Sequence, residues 1–247
     1  MDGESFFFLF WDALFGQYGI AKMMFKKQYR SYEFASLSEL NTTSLDHLIS
    51  LFTSKKIEKP ETFLTGRDGV CKTYIEGVGS VIIKHYTRGG FVTYFNKQRY
   101  FFSKKRRNRR EFEFLRHARK AGVNVPEPFA YVSYGQLFYK AWLITREIPN
   151  AQNFVELCLK DVNKAIALMP AIGENINKLI EASIHHIDLH PGNIVIDSFN
   201  KVFILDFDKA CYVKGDRREL KKKYRTRWKR ALEKYKFSDR LADLHLL

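Results

Sequence analysis

The sequence predicts an α+β fold in two parts, a small antiparallel sheet carrying one helix and then a compact, mainly helical part. Three observations predict it. Between Thr62 and Tyr86, short β-branched and aromatic runs alternate with Gly66, Gly69, Gly77 and Gly79, the pattern of strands joined by tight turns. From Phe154 to Glu181 and again from Arg217 to Lys236 the pattern is helical. Between these helices lies His186-x-Asp188-x-x-x-x-Asn193, a short apolar hairpin, and then Asp206-Phe207-Asp208. An acid, an amide and a second acid at this spacing can surround one divalent cation and one hydroxyl group.

The 247 residues suffice for one large domain or two small packed units. A hydrophobic fraction of 45% and an aromatic fraction of 15% exclude a disordered chain. The net charge of +15 calls for an anionic partner: nucleic acid, an anionic membrane surface or a phosphorylated substrate. Cys71, Cys158 and Cys211 are scattered and odd in number, which argues against a disulfide framework or zinc site and fits a reducing compartment. The apolar run Phe6–Trp11 is interrupted by Asp12, Gln17 and Lys22, too soon for a membrane span, and is expected to be an amphipathic or core-packing segment.

Taken in order, residues 1–55 read as an N-terminal extension, partly helical, with Ser44 as the cap of a helix running to Phe52. Pro60 breaks the chain. Residues 56–147 form the first part, with strands at Val70–Ile75 and Ser80–Tyr86. A helix follows at Glu111–Ala118, ended by Gly122 and Pro126, and then a hairpin, Ala130–Ser133 and Leu137–Thr145. Arg146–Asn150 reads as a linker, and residues 148–247 form the second part, with helices at Phe154–Leu159 and Val162–Glu181, the Asp188 loop and a basic terminal helix. Strands with one helix, a linker, then helices with an acid-bearing hairpin is the order of a two-lobed protein-kinase-like fold, with a sheet-bearing N-lobe and a mainly helical C-lobe.

In that frame each polar position has a chemical task. Asp188 is the base or orienter of an acceptor hydroxyl. Asn193 and Asp206 are hard oxygen ligands suited to Mg2+. Lys84 sits on the apolar strand Val81-Ile-Ile-Lys84 and needs an anion, a carboxylate or a nucleotide phosphate. Glu111 opens the next helix and is a natural partner, with Glu113 the competitor; helical phase and the resemblance described below both favour Glu111. Gly66 and Gly69 could let backbone amides cover ATP phosphates. Backbone groups of Glu147 and Ile148 would meet the adenine. Asp208 either supports the metal site or pairs with a basic residue. His186 either buttresses the loop or contacts substrate, and His185, His186 and His190 lack the fixed partners a zinc site needs. The basic, aromatic-interleaved stretch from Lys84 to Arg110 and the terminal helix admit a solvated face, nucleic-acid binding or a phospholipid surface.

Val81-Ile-Ile-Lys-His-Tyr-Thr-Arg-Gly-Gly90, Arg110-Glu-Phe112, Gly122-Val-Asn-Val-Pro-Glu-Pro128, Leu143-Ile-Thr-Arg-Glu-Ile-Pro149 and Leu205-Asp-Phe-Asp208 together resemble the 3-deoxy-D-manno-octulosonic acid (Kdo) kinases of the lipopolysaccharide kinase group. The resemblance covers about Gly66 to Lys236. It implies a protein-kinase-like fold, ATP and Mg2+ as cofactors, and phosphorylation of the 4-hydroxyl of Kdo on a lipid A precursor at the cytoplasmic face of the bacterial inner membrane. By position it implies that Lys84 holds the α- and β-phosphates, Glu111 orients it, Asp188 is the catalytic aspartate, Asn193 and Asp206 bind metal, and Arg88 contacts anionic substrate. The loop Asp188-Leu-His-Pro-Gly-Asn193 is itself more similar to that of aminoglycoside phosphotransferases.

The expectation is therefore a Kdo kinase acting beside an anionic inner-membrane surface, with nucleic acid not a partner. The alternatives are a kinase of the same fold with a heptose, small-molecule or protein acceptor, and a basic nucleic-acid- or membrane-binding protein with an inactive kinase fold.

Overall fold

Strand-forming segments between Phe25 and Arg146 assemble into one sheet. The computed structural model describes residues 24–54, 70–86, 106–135 and 139–246. The Phe6–Trp11 segment, Gly66, Gly69 and Arg88 lie outside the described residues. The strands are β1 (Phe25–Tyr29), β2 (Tyr32–Ser36), β3 (Val70–Ile75), β4 (Gly79–Tyr86), β5 (Pro128–Tyr134) and β6 (Lys140–Arg146), in the antiparallel order β1-β2-β5-β6-β4-β3. Residues 25–36 thus join the sheet rather than standing before it as an extension. They escape sequence detection because β1 is a polar, largely exposed edge and its turn, Arg30-Ser31, takes two left-handed residues without glycine.

Between β2 and β3 lies helix α1 (Thr42–Thr53), capped by Asn41, whose side chain accepts the Ser44 N–H at 2.8 Å. Ser44, expected as the cap, is a buried residue of the first turn, so the helix starts earlier than its apolar pattern suggests. Helix α2 (Arg107–Lys120) also begins upstream of its apolar signal and buries Phe112, Leu115 and Ala118. Asn108, fully buried near its start, donates to Val132 O at 2.7 Å and Ser133 Oγ at 3.0 Å, fixing the helix against β5. Gly122, at φ +79°, supplies the left-handed residue that ends α2.

In β4, period-two alternation puts Val81 and Ile83 in a core with Ile75, Trp142 and Ile144. Ile82 and Lys84 face the opposite side, with Lys84 registered against Val70 and Leu143. A second apolar cluster gathers the remainder, from Phe112 and Leu115 to Trp228 and Leu241.

After β6 come β7 (Gln152–Asn153), α3 (Phe154–Lys160), α4 (Val162–Ala167) and α5 (Met169–Glu181). The helix expected to be continuous from Val162 to Glu181 is broken at Leu168, because Pro170 in the first turn of α5 has no N–H to continue a ladder. Then follow β8 (Ile184–His185), a hairpin of β9 (Ile194–Ile196) and β10 (Val202–Ile204), β11 (Cys211–Tyr212) and α6 (Arg217–Tyr235). β9 is flanked by β10 and β7, and β8 pairs β11.

Gly173 in α5 packs against the chain near the C-terminus: a Cβ there would lie 2.0 Å from Leu244 O. Gly173→Ala should therefore lower the thermal midpoint, although alanine normally gains about 1 kcal/mol over glycine in a helix. A midpoint equal to or above wild type in a melting experiment would refute this packing.

Candidate active site

The side-chain amine of Lys84 is three-quarters buried, and two carboxylates meet it. Its Nζ donates to Glu111 Oε1 at 3.0 Å and Oε2 at 2.8 Å, and to Asp206 Oδ1 at 2.7 Å. Burial works against the ammonium charge, but Glu111 and Asp206 outweigh it and raise the Lys84 pKa. Glu111 is fully buried, which pushes its carboxyl up against the pull of Lys84. Glu113, the sequence competitor, instead pairs with Arg109 at 2.8 Å one turn away.

Glu111 also accepts the Tyr86 hydroxyl. Arg107 stands over the Tyr86 ring, 5.4 Å from its centroid, and clamps Asp208 through Nε at 3.0 Å and Nη2. Of the two tasks open to Asp208, the structure shows pairing with a basic residue. A chain of contacts thus runs from Lys84 through Glu111, Tyr86, Arg107 and Asp208 to the segment bearing Asp206. That residue is left-handed, at φ 65° and ψ 65°, a conformation aspartate tolerates better than most side chains and which marks a constrained turn.

The loop bearing Asp188 is held from several sides. Asn193, buried, donates through Nδ2 to Asp188 O at 2.8 Å, and the Leu205 N–H donates to Asn193 O at 2.8 Å. The His186 ring donates from Nε2 to Leu205 O at 2.8 Å and meets Phe207 edge-on. With 1% of its surface exposed, His186 is a strut between loop and hairpin and not the substrate contact that was the other expectation. Burial lowers its pKa and keeps the ring neutral. From α6, Tyr224 donates its hydroxyl to Ile184 O and accepts the His186 N–H, both at 2.8 Å. One turn on, Arg227 donates to Asp188 Oδ1 at 2.7 Å, while Lys209 reaches Oδ2 at 3.3 Å. Partial burial pushes the Asp188 carboxyl up, but Arg227 and Lys209 overcome it and hold the pKa at about 2.

Two cavities meet at these groups. One, of about 560 Å³, has apolar walls that include Val70, Ile82, Leu143, Val195 and Leu205, with Glu147 and Ile148 of the linker also lining it. The other, of about 280 Å³, is lined by charged groups, among them Asp188, Arg107, Asp208 and Lys209. Lys84 and Asp206 line both. The Glu147 N–H is already committed to Ser80 O at 3.0 Å, which leaves the Glu147 carbonyl and the Ile148 N–H of the backbone groups expected to meet a base. The Glu147 side chain bridges to Lys72 of β3 at 2.7 Å.

Among the described residues no cluster of three or more His, Cys, Asp or Glu is gathered to hold a metal alone. Asp206 lines both cavities, whereas Asn193 is buried behind them, on a backbone segment laced to Leu205. Such a sparse pair suits magnesium, which keeps waters and phosphate oxygens as its remaining ligands.

Sequence reasoning assigned no role to Tyr86, Arg107, Lys209 or Arg227. Tyr86 stood within the Lys84 strand, and Arg107 and Arg227 were indistinguishable from their basic neighbours; only three-dimensional proximity separates them.

Because its folded pKa lies below the ordinary 3.8, Asp188 contributes stability that is present above pH about 4 and lost as pH falls toward 2. After allowance for solvent at this part-exposed pair, the contribution is on the order of 1 kcal/mol. Arg227→Gln should lower urea-unfolding stability at pH 7 by about that amount and much less at pH 2.5. An equal loss at both pH values would show that Arg227 does not act through the Asp188 charge.

A profile of the Lipopolysaccharide kinase (Kdo/WaaP) family matches residues 53–243. Two curated relatives are named 3-deoxy-D-manno-octulosonic acid kinase. The one from Vibrio cholerae serotype O1 is 42% identical over 138 residues, 54% of this chain and 58% of the relative. The one from Vibrio vulnificus is 39% identical over 137 residues, again 54% and 58%. A third of that name, from Haemophilus influenzae, is 33% identical over 187 residues, 70% of this chain and 77% of the relative. The first two alignments thus span somewhat over half the length of those proteins. With the profile covering most of the sequence, the chain belongs to the Lipopolysaccharide kinase (Kdo/WaaP) family.

Proposed function

We propose that this protein is an ATP-dependent kinase that phosphorylates the 4-hydroxyl of Kdo on a lipid A precursor in lipopolysaccharide core biosynthesis. The observation that carries the reading is the meeting of an apolar cavity, of the size that holds a whole small ligand, and a charged cavity at Lys84 and Asp206, with Asp188 lining only the charged one. The relatives' shared name supplies the acceptor.

In this reading the chain is two-lobed, with residues 56–147 and 148–247 as lobes and the β1–β2 hairpin and α1 built onto the first. ATP occupies the apolar cavity, its adenine against Val70, Ile82 and Leu205 and hydrogen-bonded to the Glu147 carbonyl and the Ile148 N–H. Gly66 and Gly69, outside the described residues, are assigned to its phosphates from their place in the sequence alone. Lys84, oriented by Glu111, meets the α- and β-phosphates. Asp206, with Asn193 as the sequence assigns it, would hold magnesium, which would supply neutralisation of phosphate charge. The acceptor hydroxyl lies at Asp188. A bond forms between that oxygen and the γ-phosphorus as the bond to the β,γ-bridging oxygen breaks, ADP leaves, and the hydroxyl proton passes by way of Asp188 to solvent. With a pKa of about 2, Asp188 is ionised throughout and a weak base. Its contribution is chiefly to align the hydroxyl.

The basic surface fits an anionic inner-membrane face. On α6, Arg218, Lys222, Arg225 and Lys229 are all exposed, as suits a peripheral protein at its cytoplasmic side. The family resemblance gives Arg88, outside the described residues, to anionic substrate. Among the described residues no helix is long and apolar enough to cross a membrane.

Purified protein supplied with labelled ATP, magnesium and a Kdo-bearing lipid A precursor should label Kdo, and Asp188→Ala should reduce the rate by about 10³-fold. Labelling only a heptosylated core or a protein acceptor would reassign the substrate, and no labelling at all would sink the enzyme reading. Asp206→Asn, close in shape, should remove magnesium-dependent nucleotide binding while keeping the melting midpoint near wild type. Nucleotide affinity that still rises with magnesium in this variant would exclude Asp206 as a ligand.

A further inference from the structure

The charges around the two cavities do not balance locally, and the imbalance has opposite signs on the two sides. Lys84 carries one positive charge against the two carboxylates of Glu111 and Asp206. That surplus of negative charge faces the place proposed for a cation. Asp188 carries one negative charge against the two cations Lys209 and Arg227. There the surplus is positive, beside the place proposed for the acceptor hydroxyl. Arg107 and Asp208, between them, cancel.

The cations on the acceptor side are not equally committed. Arg107 is held in a fork on Asp208, and Arg227 makes the short contact to Asp188 from a side chain two-thirds buried. His85 lines the same cavity but its ring is stacked on Trp142 at 5.1 Å and 11°, and burial lowers its pKa, so it brings no charge there. Lys209 differs from all of these. Its single contact among the described residues is the 3.3 Å approach to Asp188 Oδ2, its side chain is 65% exposed, and it lines the charged cavity. An ammonium on a flexible stem can turn from Asp188 to a neighbouring anion without uncovering a buried charge, because Arg227 remains on the other carboxylate oxygen.

We propose that Lys209 is the specificity-determining residue for an acidic acceptor: it forms an ion pair with the carboxylate of the sugar acid while Asp188 aligns that sugar's hydroxyl. The inference rests on the kinase reading and deepens it. The relatives' substrate is by name an acid, so one carboxylate per acceptor is available to balance the surplus charge. Pairing would also turn Lys209 away from Asp188, leaving Oδ2 to receive the hydroxyl.

The test uses the full chain, a soluble Kdo glycoside and its carboxyl methyl ester. Wild-type kcat/KM should favour the acid by about 10- to 100-fold, the worth of one charge-assisted hydrogen bond. Lys209→Gln should cut kcat/KM for the acid about 10- to 100-fold more than for the ester, so discrimination collapses toward one, while Lys209→Arg retains most of it. An equal fall for acid and ester would overturn the proposal and place Lys209 with Asp188 or the transferred phosphate instead. A wild type that treats acid and ester alike would overturn it as well. Calorimetric binding of the acid without ATP separates this from the underlying reading. Binding about tenfold weaker in Lys209→Gln supports the carboxylate subsite even where no transfer is seen, and equal binding by both proteins overturns it.

Discussion

The structure depends on finding anions for one buried lysine. Removing an ammonium group from water is costly unless carboxylates meet it, and Lys84 stands on a strand whose neighbours are apolar. Its two partners come from 27 and 122 residues along the chain. Satisfying that charge therefore brings together the sheet, helix α2 and the hairpin that follows the Asp188 loop. Taking away Lys84 would leave the buried Glu111 carboxylate without its cation, which is costlier than never having built the pair. Asn108 against β5 and Tyr86 against Glu111 are the supports that keep α2 at the required depth.

The Asp188 loop is secured differently, by polar contacts to backbone. Asn193 ties it to itself, His186 ties it to the strand before Asp206, and Tyr224 ties it to α6. Each is buried, where an unmet donor or acceptor is penalised, so the loop has few alternative shapes. Near the end of α6 the Tyr235 hydroxyl approaches Gly192, where a Cβ would come within 2.9 Å. A helix whose exposed face is basic thus uses its inner face to shape the loop, and one helix serves both the surface and the site.

Opposite charge surpluses divide the site. The side with Glu111 and Asp206 favours a cation, and the side with Lys209 and Arg227 favours an anion.

The sequence by itself determined the order of strands, linker and helices from Val70 onward and the spacing of Asp188, Asn193 and Asp206, and helical phase together with the family resemblance pointed to Glu111 as the partner of Lys84. These signals are local: alternation, turn residues and short fixed spacings carry them. The family was legible in the same way, through contiguous segments such as Lys84-His-Tyr. What only the tertiary structure decided is whatever required choosing among similar residues or reading a weak edge. The β1–β2 hairpin has a polar strand and a turn without glycine, so nothing local announces it. Arg107 and Arg227 are two of 42 basic residues, and only folding places one on Asp208 and the other on Asp188. The depth of His186, 1% exposed with Nε2 donating to Leu205 O, is likewise visible only in the fold. Periodicity reports which way a side chain faces; which charge it meets across 100 or more residues of chain is a property of the packed whole.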